Sequence, residues 1–241
     1  MWPRVLVTAM AYVAPRTQVR LEAPSPLPAE RWSLGNGAVQ TAPDTAQAEA
    51  KARFYDVSLF TRRQALPLNS ARFEQGCGFI VTIYGYFGGN SYANPTSALS
   101  VLSADERADV RRPAGCTGTR NVRLGGGVEA EVYTFAPTGA NCLAYWDERG
   151  WEFVLTGFFA DEAGWGSWPG TADQVVDYVT QHRLPALRGV VYCDIAGDGL
   201  PTTLTWADGD QTYSTSMYHS AIGAIDMADA MAPYPGEHPG P

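Results

Sequence analysis

The chain has 241 residues, of which 45% are hydrophobic and 17% charged, and its formal net charge is −8. This composition fits a globular protein with one large domain or two small ones. An acidic chain repels nucleic-acid phosphates, so we expect no nucleic-acid partner. Its apolar runs fall short of the roughly 20 residues of a membrane-spanning helix, so we expect no transmembrane segment.

Residues 1–48 are predicted to form an N-terminal strand and a proline-rich strap. Arg4 precedes the apolar run 5–14, which fits either a β-strand or the hydrophobic part of a short signal peptide. The prolines of residues 22–48 favour extended and turn conformations. A short helix is predicted at residues 44–53.

Residues 49–185 are predicted to form an α+β domain. Alternating and β-branched patterns predict strands at residues 54–60, 78–87, 128–135, 143–146 and 151–156. Helices are predicted at residues 96–107 and 172–182, with a loop at 111–119.

Residues 186–232 are predicted to form a half-repeat that packs on this domain. Its predicted elements are strands at residues 189–195, 203–206 and 211–217 and a helix at 220–231. Residues 233–241 are predicted to be a disordered tail. Together the elements predict an α+β fold, in which short helices cover one side of an antiparallel sheet of hairpins.

An internal repeat is predicted from two similar hairpins. Trp146 and Phe153 have the same spacing as Trp206 and Tyr213, and each hairpin precedes a helix and a proline. Chance is the alternative explanation, because hairpins with a tryptophan and a second aromatic residue are common.

The four cysteines are Cys77, Cys116, Cys142 and Cys193. Their spacing does not fit a zinc site, and an even number in separate segments fits two disulfides of unknown pairing. Four buried thiols are the alternative. We expect at least one disulfide, with Cys142 and Cys193 as candidate neighbours.

The C-terminal third carries a recognisable pattern of short motifs. They are Leu184-Pro185, Arg188-Gly189, Asp194 with Gly197-Asp198-Gly199, Trp206, Gly209, Tyr213 and Tyr218-His219. The pattern resembles an uncharacterised group of secreted or cell-envelope proteins of Gram-positive, spore-forming bacteria, over about residues 50–232. The resemblance implies an extracellular or cell-envelope location and supplies no activity.

His219 is the candidate residue for catalysis. A hydrolase could combine it with Asp226 and one of Ser214, Ser216 and Ser220, although the sequence lacks a Gly-x-Ser-x-Gly motif. A capping or turn role for His219 is the simpler interpretation.

Asp194 and Asp198 are candidate ligands for a metal ion. They resemble a fragment of a calcium loop, but the EF-hand spacing with its distal glutamate is absent. A turn in which aspartate bonds to its own backbone is the favoured interpretation.

The richest candidate for ligand binding is a glycine-rich aromatic loop. It contains Phe158, Phe159, Trp165 and Trp168. Such aromatic residues form either a local core or an exposed platform for a glycan or a protein.

Three functions therefore remain open. The favoured one is a secreted or cell-surface, non-enzymatic binding or envelope protein whose partner is a glycan or a protein. The alternatives are an extracellular hydrolase that uses His219 and a subunit of an extracellular assembly. The sequence indicates no cofactor.

Overall fold

The computed structural model describes most of the chain. The described residues are 2–27, 43–61, 65–71, 82–109, 116–135, 141–159, 168–182, 184–185, 189–194, 201–218 and 221–235. Several sequence predictions lie outside these ranges: residues 28–42 of the proline-rich strap, the centre of the aromatic loop, His219, and the tail from residue 236.

A ten-stranded sheet runs through the molecule. Its strands are β2 (Thr45–Lys51), β3 (Phe54–Thr61), β4 (Thr82–Ser91), β5 (Cys116–Arg123), β6 (Glu129–Phe135), β7 (Asn141–Glu148), β8 (Trp151–Phe159), β9 (Gly189–Asp194), β10 (Pro201–Asp208) and β11 (Gln211–Tyr218). Their order across the sheet is β2-β3-β4-β11-β10-β9-β8-β7-β6-β5. Neighbouring strands are antiparallel except β8 and β9. Two short strands, β1 (Glu22–Pro24) and β12 (Met231–Pro233), form a separate ribbon.

The mostly antiparallel sheet with short helices confirms the predicted α+β class. Its strand order differs from the predicted arrangement of a domain with a half-repeat packed on it. Strands β9, β10 and β11 lie inside the sheet, where β11 pairs with β4 and β9 pairs with β8. The ranges 49–185 and 186–232 therefore contribute to one sheet.

Three helices cover one face of the sheet, here called the inner face. They are α1 (Arg4–Val13), α3 (Trp168–Gln181) and α4 (Ala221–Asp229). Val175, Val176 and Val179 of α3 are buried in the main core, as their helical spacing predicts. Because residues two apart in a strand share a face, the core side chains of the strands line this inner face.

The fourth helix, α2 (Pro95–Asp109), lies on the opposite, outer face. It contacts β9, β10 and β11, and its Ala98 and Leu102 are buried but do not belong to the main core. Thr212 and Ser216 are buried on the outer face of β11. The prediction that all helices lie on one side of the sheet is therefore wrong for α2.

The N-terminal strand is also a wrong prediction, because residues 4–13 form the helix α1. Leu6, Ala9, Met10 and Val13 follow the 3.6-residue period of a helix and are all buried. The β-branched residues between them concealed that period in the sequence. Helix α1 is thus part of the core and packs against β2.

Two other segments are strands where the sequence predicts a helix or a loop. The alanines of β2 favour a helix when taken alone, yet β2 pairs with β3 along its whole length. Ala46 and Ala48 are buried in the main core, so their small side chains let α1 approach the sheet. Residues 116–119 belong to β5, which is held by its pairing with β6 rather than by its own propensity.

An aromatic layer crosses the centre of the inner face. Trp206 lies opposite Tyr213 in the β10–β11 pair and opposite Gly189 in the β9–β10 pair. On the other side of Gly189 lies Trp151, whose ring centroid is 6.4 Å from that of Trp206. These aromatic side chains are almost fully buried, so the layer is core and not a binding platform.

Polar contacts hold the segment before β1 against the edge of this layer. The Tyr213 hydroxyl donates a hydrogen bond to the carbonyl of Arg20 at 3.0 Å, and the Tyr55 hydroxyl donates to the carbonyl of Glu22 at 2.9 Å. The Arg20 guanidinium also forms an ion pair with Asp208. The buried tyrosines thus satisfy their hydroxyl groups and fix the chain that leads from α1 to the ribbon.

Candidate binding site

A polar cleft opens on the outer face of the sheet beside β2 and β3. Its volume is about 410 Å³, and it lies between these strands and residues 65–71. Its polar lining residues are Gln47, Glu49, Asp56, Ser58, Asn69 and Ser70. A cleft of this size can hold a small molecule or one side chain of a partner. This cleft is called the Asp56 cleft.

The register of three strands places Asp56 on the floor of the cleft. Asp56 lies opposite Glu49 on β2 and opposite Gly88 on β4. A Cβ atom at Gly88 would lie 2.4 Å from the carbonyl oxygen of Tyr55 and 3.3 Å from Oδ1 of Asp56. The absence of a side chain at Gly88 therefore lets the Asp56 carboxyl lie low against the sheet.

Burial raises the pKa of Asp56 from its ordinary value to about 6. The charge of Glu49 raises this pKa further, whereas a hydrogen bond from the Ser58 hydroxyl, at 3.4 Å, lowers it. The carboxyl is half-buried, so it changes its protonation state in contact with solvent. A carboxyl with a displaced pKa in a cleft is a candidate functional group.

Asn69 builds the wall of the cleft. Its side chain accepts a hydrogen bond from the Ala48 amide at 2.7 Å and donates one to the Ala48 carbonyl at 2.9 Å. It therefore bonds to β2 as a neighbouring strand would. The φ angle of Asn69 is +53°, a left-handed conformation that asparagine tolerates better than most residues. This contact fixes residues 65–71 beside β2.

A second cleft, of about 620 Å³, lies on the other side of the same segment. Its lining comes from the first turns of α1, the start of β2 and residues 65–68. It is mainly apolar, with Arg4 and Asp44 as its charged residues. The Asp56 cleft is the better candidate because its polar groups converge on one carboxyl of displaced pKa.

The structure describes only the ends of the predicted aromatic loop. Phe158 and Phe159 are the last residues of β8, and Trp168 is the first residue of α3. Trp165 lies outside the described residues. The loop between these two ends lies outside the described residues, and the binding role of the four aromatic residues stays a prediction.

The residues of the hydrolase hypothesis do not come together where the structure describes them. Ser214 and Ser216 are on the outer face of β11, whereas α4, which carries Asp226, covers its inner face. Asp226 instead accepts a hydrogen bond from the Tyr178 hydroxyl of α3. A triad of Asp226 with either serine would have to pass through the sheet. His219 and Ser220 lie outside the described residues.

The candidate metal ligands are only partly described. Asp194 is the last residue of β9, and Asp198 lies outside the described ranges. Within the part of the chain that the structure describes, three or more His, Cys, Asp or Glu residues nowhere cluster in a way that could hold a metal ion.

Three of the four cysteines lie on described strands. Cys116, Cys142 and Cys193 are on β5, β7 and β9. Cys77 lies outside the described residues. The predicted disulfides, with Cys142 and Cys193 as candidate neighbours, stay a prediction.

No protein-family model, curated protein or solved structure matches the chain. The resemblance to cell-envelope proteins therefore rests on its sequence motifs alone. In the described ranges, the helices are all too short or too polar to cross a membrane.

Sequence reasoning missed the Asp56 cleft. The sequence signal for the cleft is Asp56, which lies inside the strand pattern of residues 54–60. Aspartate is uncommon within strands. The sequence could not show that Glu49 and Gly88 would lie on either side of it, because that depends on strand pairing between distant segments.

Proposed function

We propose that the protein is a non-enzymatic binding protein and that the Asp56 cleft is its ligand site. The observation that carries this proposal is a cleft of about 410 Å³ whose lining is dominated by hydrogen-bonding side chains around one half-buried carboxyl. Such convergence fixes the orientation of a polar ligand. The candidate partners are those of the sequence analysis, a glycan or a protein group.

We propose further that the protein acts outside the cytoplasm, secreted or at the cell surface. The low charged fraction of 17%, the 12% of aromatic residues and the four cysteines support this location, as does the motif resemblance. Labelling of intact cells with a membrane-impermeant biotin reagent tests it. Labelling of a known surface protein but not of this one, together with its absence from the culture medium, would contradict it.

The internal repeat is likewise proposed. Trp146 lies opposite Phe153, and Trp206 lies opposite Tyr213, so the two hairpins have their aromatic pairs in the same register. Each hairpin is followed by a helix that covers the inner face. The test is superposition: the two hairpin–helix units should align as one body, and opposite hairpin directions relative to their helices would refute the repeat.

The binding proposal is tested by a thermal-shift screen of neutral, cationic and anionic saccharides and short peptides. We expect at least one compound to raise the melting temperature of the native protein but not that of Asp56→Asn or Gln47→Ala. Glu129→Gln is the matched control, because Glu129 is an exposed carboxylate on the outer face of distant β6. If every stabilising compound acts equally on all four proteins, the cleft is not the site.

A role as a subunit of an assembly is the second candidate function, and the sheet edges favour it. At the edge strand β2, the Asn69 side chain hydrogen-bonds to the backbone of Ala48. At the other edge of the sheet, β5 pairs with β6 alone within the described chain. An edge strand can accept a strand of another chain. Asn121→Pro at this edge should reduce the molar mass measured by light scattering, and a protein that is monomeric with and without this change would contradict the proposal.

A further inference from the structure

Among the described residues, the lining of the Asp56 cleft carries more negative than positive charge. Its charged members within these ranges are Glu49 and Asp56, which lie opposite each other across β2 and β3. The nearest cation on β2 is Lys51, whose ammonium lies 2.7 Å from the Glu49 carboxylate, with both side chains well exposed. Lys51 therefore pairs with Glu49, whereas the Asp56 carboxyl accepts a hydrogen bond from the Ser58 hydroxyl.

We propose that Asp56 gates this cleft: its ionised carboxylate binds the primary ammonium group of a cationic ligand, and its protonated form releases that ligand. This inference rests on the proposed binding function, to which it adds a ligand class and a means of regulation. An ammonium group has three donors, and Asp56, Gln47 and Ser58 offer acceptors in the lining of the cleft.

The low position of Asp56 favours a charged ligand over a neutral one. A half-buried carboxylate interacts with a cation more strongly than an exposed one does, because less water screens the pair. In the free protein, the ionised Asp56 lies directly opposite Glu49, which carries the same charge. Like charges opposite each other in a sheet destabilise the folded protein. A bound ammonium group removes that destabilisation, whereas a sugar hydroxyl removes little of it.

The surroundings of Asp56 also make its protonation the controlling event. Among the described residues, the charged group that faces it is Glu49 of β2, which is itself paired with Lys51. Tyr86 of β4 lies opposite Ser58 with its hydroxyl at Thr203, and residues 65–71 contribute neutral side chains. Since its pKa is about 6, Asp56 is mostly ionised at pH 7 and mostly protonated at pH 5. With binding limited to the ionised fraction, affinity should fall about tenfold between these pH values.

The experiment is isothermal titration with the blocked tripeptide Gly-Lys-Gly and its Nε-acetylated form. The lysine ammonium stays charged from pH 5 to pH 8, so only the protein changes its protonation state. We expect the tripeptide to bind at pH 7 and about tenfold more weakly at pH 5, and the acetylated form not to bind. A simple diamine, 1,5-diaminopentane, separates recognition of the ammonium group from recognition of the peptide.

Two variants complete the test. Asp56→Asn should lose binding and its pH dependence, and Glu49→Gln should shift the midpoint of release to lower pH, because one like charge is removed. Glu129→Gln should behave as the native protein. Equal binding of the acetylated peptide, binding independent of pH, or no binding of either cation would overturn the inference. If neutral compounds alone bind through Asp56 in the thermal-shift screen, the binding function stands and the ammonium class falls.

Discussion

The indole ring of Trp151 lies directly over Gly189 of the neighbouring strand. A Cβ atom at position 189 would lie 2.4 Å from Cζ3 of that ring and 2.7 Å from the carbonyl oxygen of Thr205. The two residues are opposite each other in the β8–β9 pair, the parallel pair of the sheet. The absence of a side chain at Gly189 thus leaves the space that the Trp151 ring occupies in the aromatic layer.

Gly189→Ala should therefore destabilise the protein strongly. The added methyl group would overlap the Trp151 ring and the carbonyl oxygen of Thr205. Overpacking of this kind lowers the free energy of unfolding by about 1–3 kcal/mol or more. Chemical denaturation measures the loss. Gly209→Ala is the control, because Gly209 has a φ of +65° but open space around its Cβ position; backbone strain alone should cost about 1 kcal/mol. Equal losses would show that the ring contact is unimportant.

Asp56→Asn should change how stability depends on pH. The folded-state pKa of about 6 lies above the unfolded value, so folding favours the protonated acid. Native stability should be highest below about pH 4 as far as this group is concerned, and should fall as the pH rises through 6. The variant should lack this fall and exceed the native stability at pH 7. Denaturation curves at pH 4.5 and pH 7 test this, and an unchanged difference between native and variant protein would contradict it.

Met10→Ala should destabilise the protein by weakening the packing of α1 against the sheet. Met10 is fully buried in the core, and large-to-alanine changes there cost about 2–5 kcal/mol. Val7 on the same helix is 42% exposed, so Val7→Ala should cost less than about 1 kcal/mol. Similar melting temperatures for the two variants would show that α1 is not part of the folded core.

The aromatic loop yields a prediction that separates ligand binding from packing. If Trp165 and Trp168 form an exposed platform, changing each to alanine should weaken ligand retention and leave the melting temperature nearly unchanged. If they form a local core, the same changes should cost about 3–5 kcal/mol. Thermal denaturation distinguishes the two before a ligand is known, and a large drop in melting temperature would exclude the platform.

Alkylation of the unreduced, denatured protein should label at most two of the four cysteines. At least one disulfide is expected from the sequence, and each disulfide removes two thiols from the reaction. Mass spectrometry counts the labels, and four labelled cysteines would contradict the prediction.

The sequence predicts elements well where one pattern dominates. Val175, Val176 and Val179 indicate α3, because they share its buried face. The alternation at 211–217 indicates β11, because its large side chains Tyr213 and Met217 both face the main core. The sequence fails at β2, where alanine and glutamate favour a helix until β3 is present to pair with them. The Asp56 cleft was beyond reach for the same reason: its floor and walls come from segments that only tertiary pairing brings together.

The central place of β9, β10 and β11 has a consequence for how the chain is made. Strand β4 is synthesised early, whereas its partner β11 is among the last segments to be made. Ser91 therefore cannot pair with Gln211 until most of the chain has been synthesised. Until then, the strands on either side of the gap have unpaired edges, which can associate with other chains. Such distant pairing also slows folding. A truncation before Gln211 would remove β11 and therefore split the sheet in two rather than shorten it.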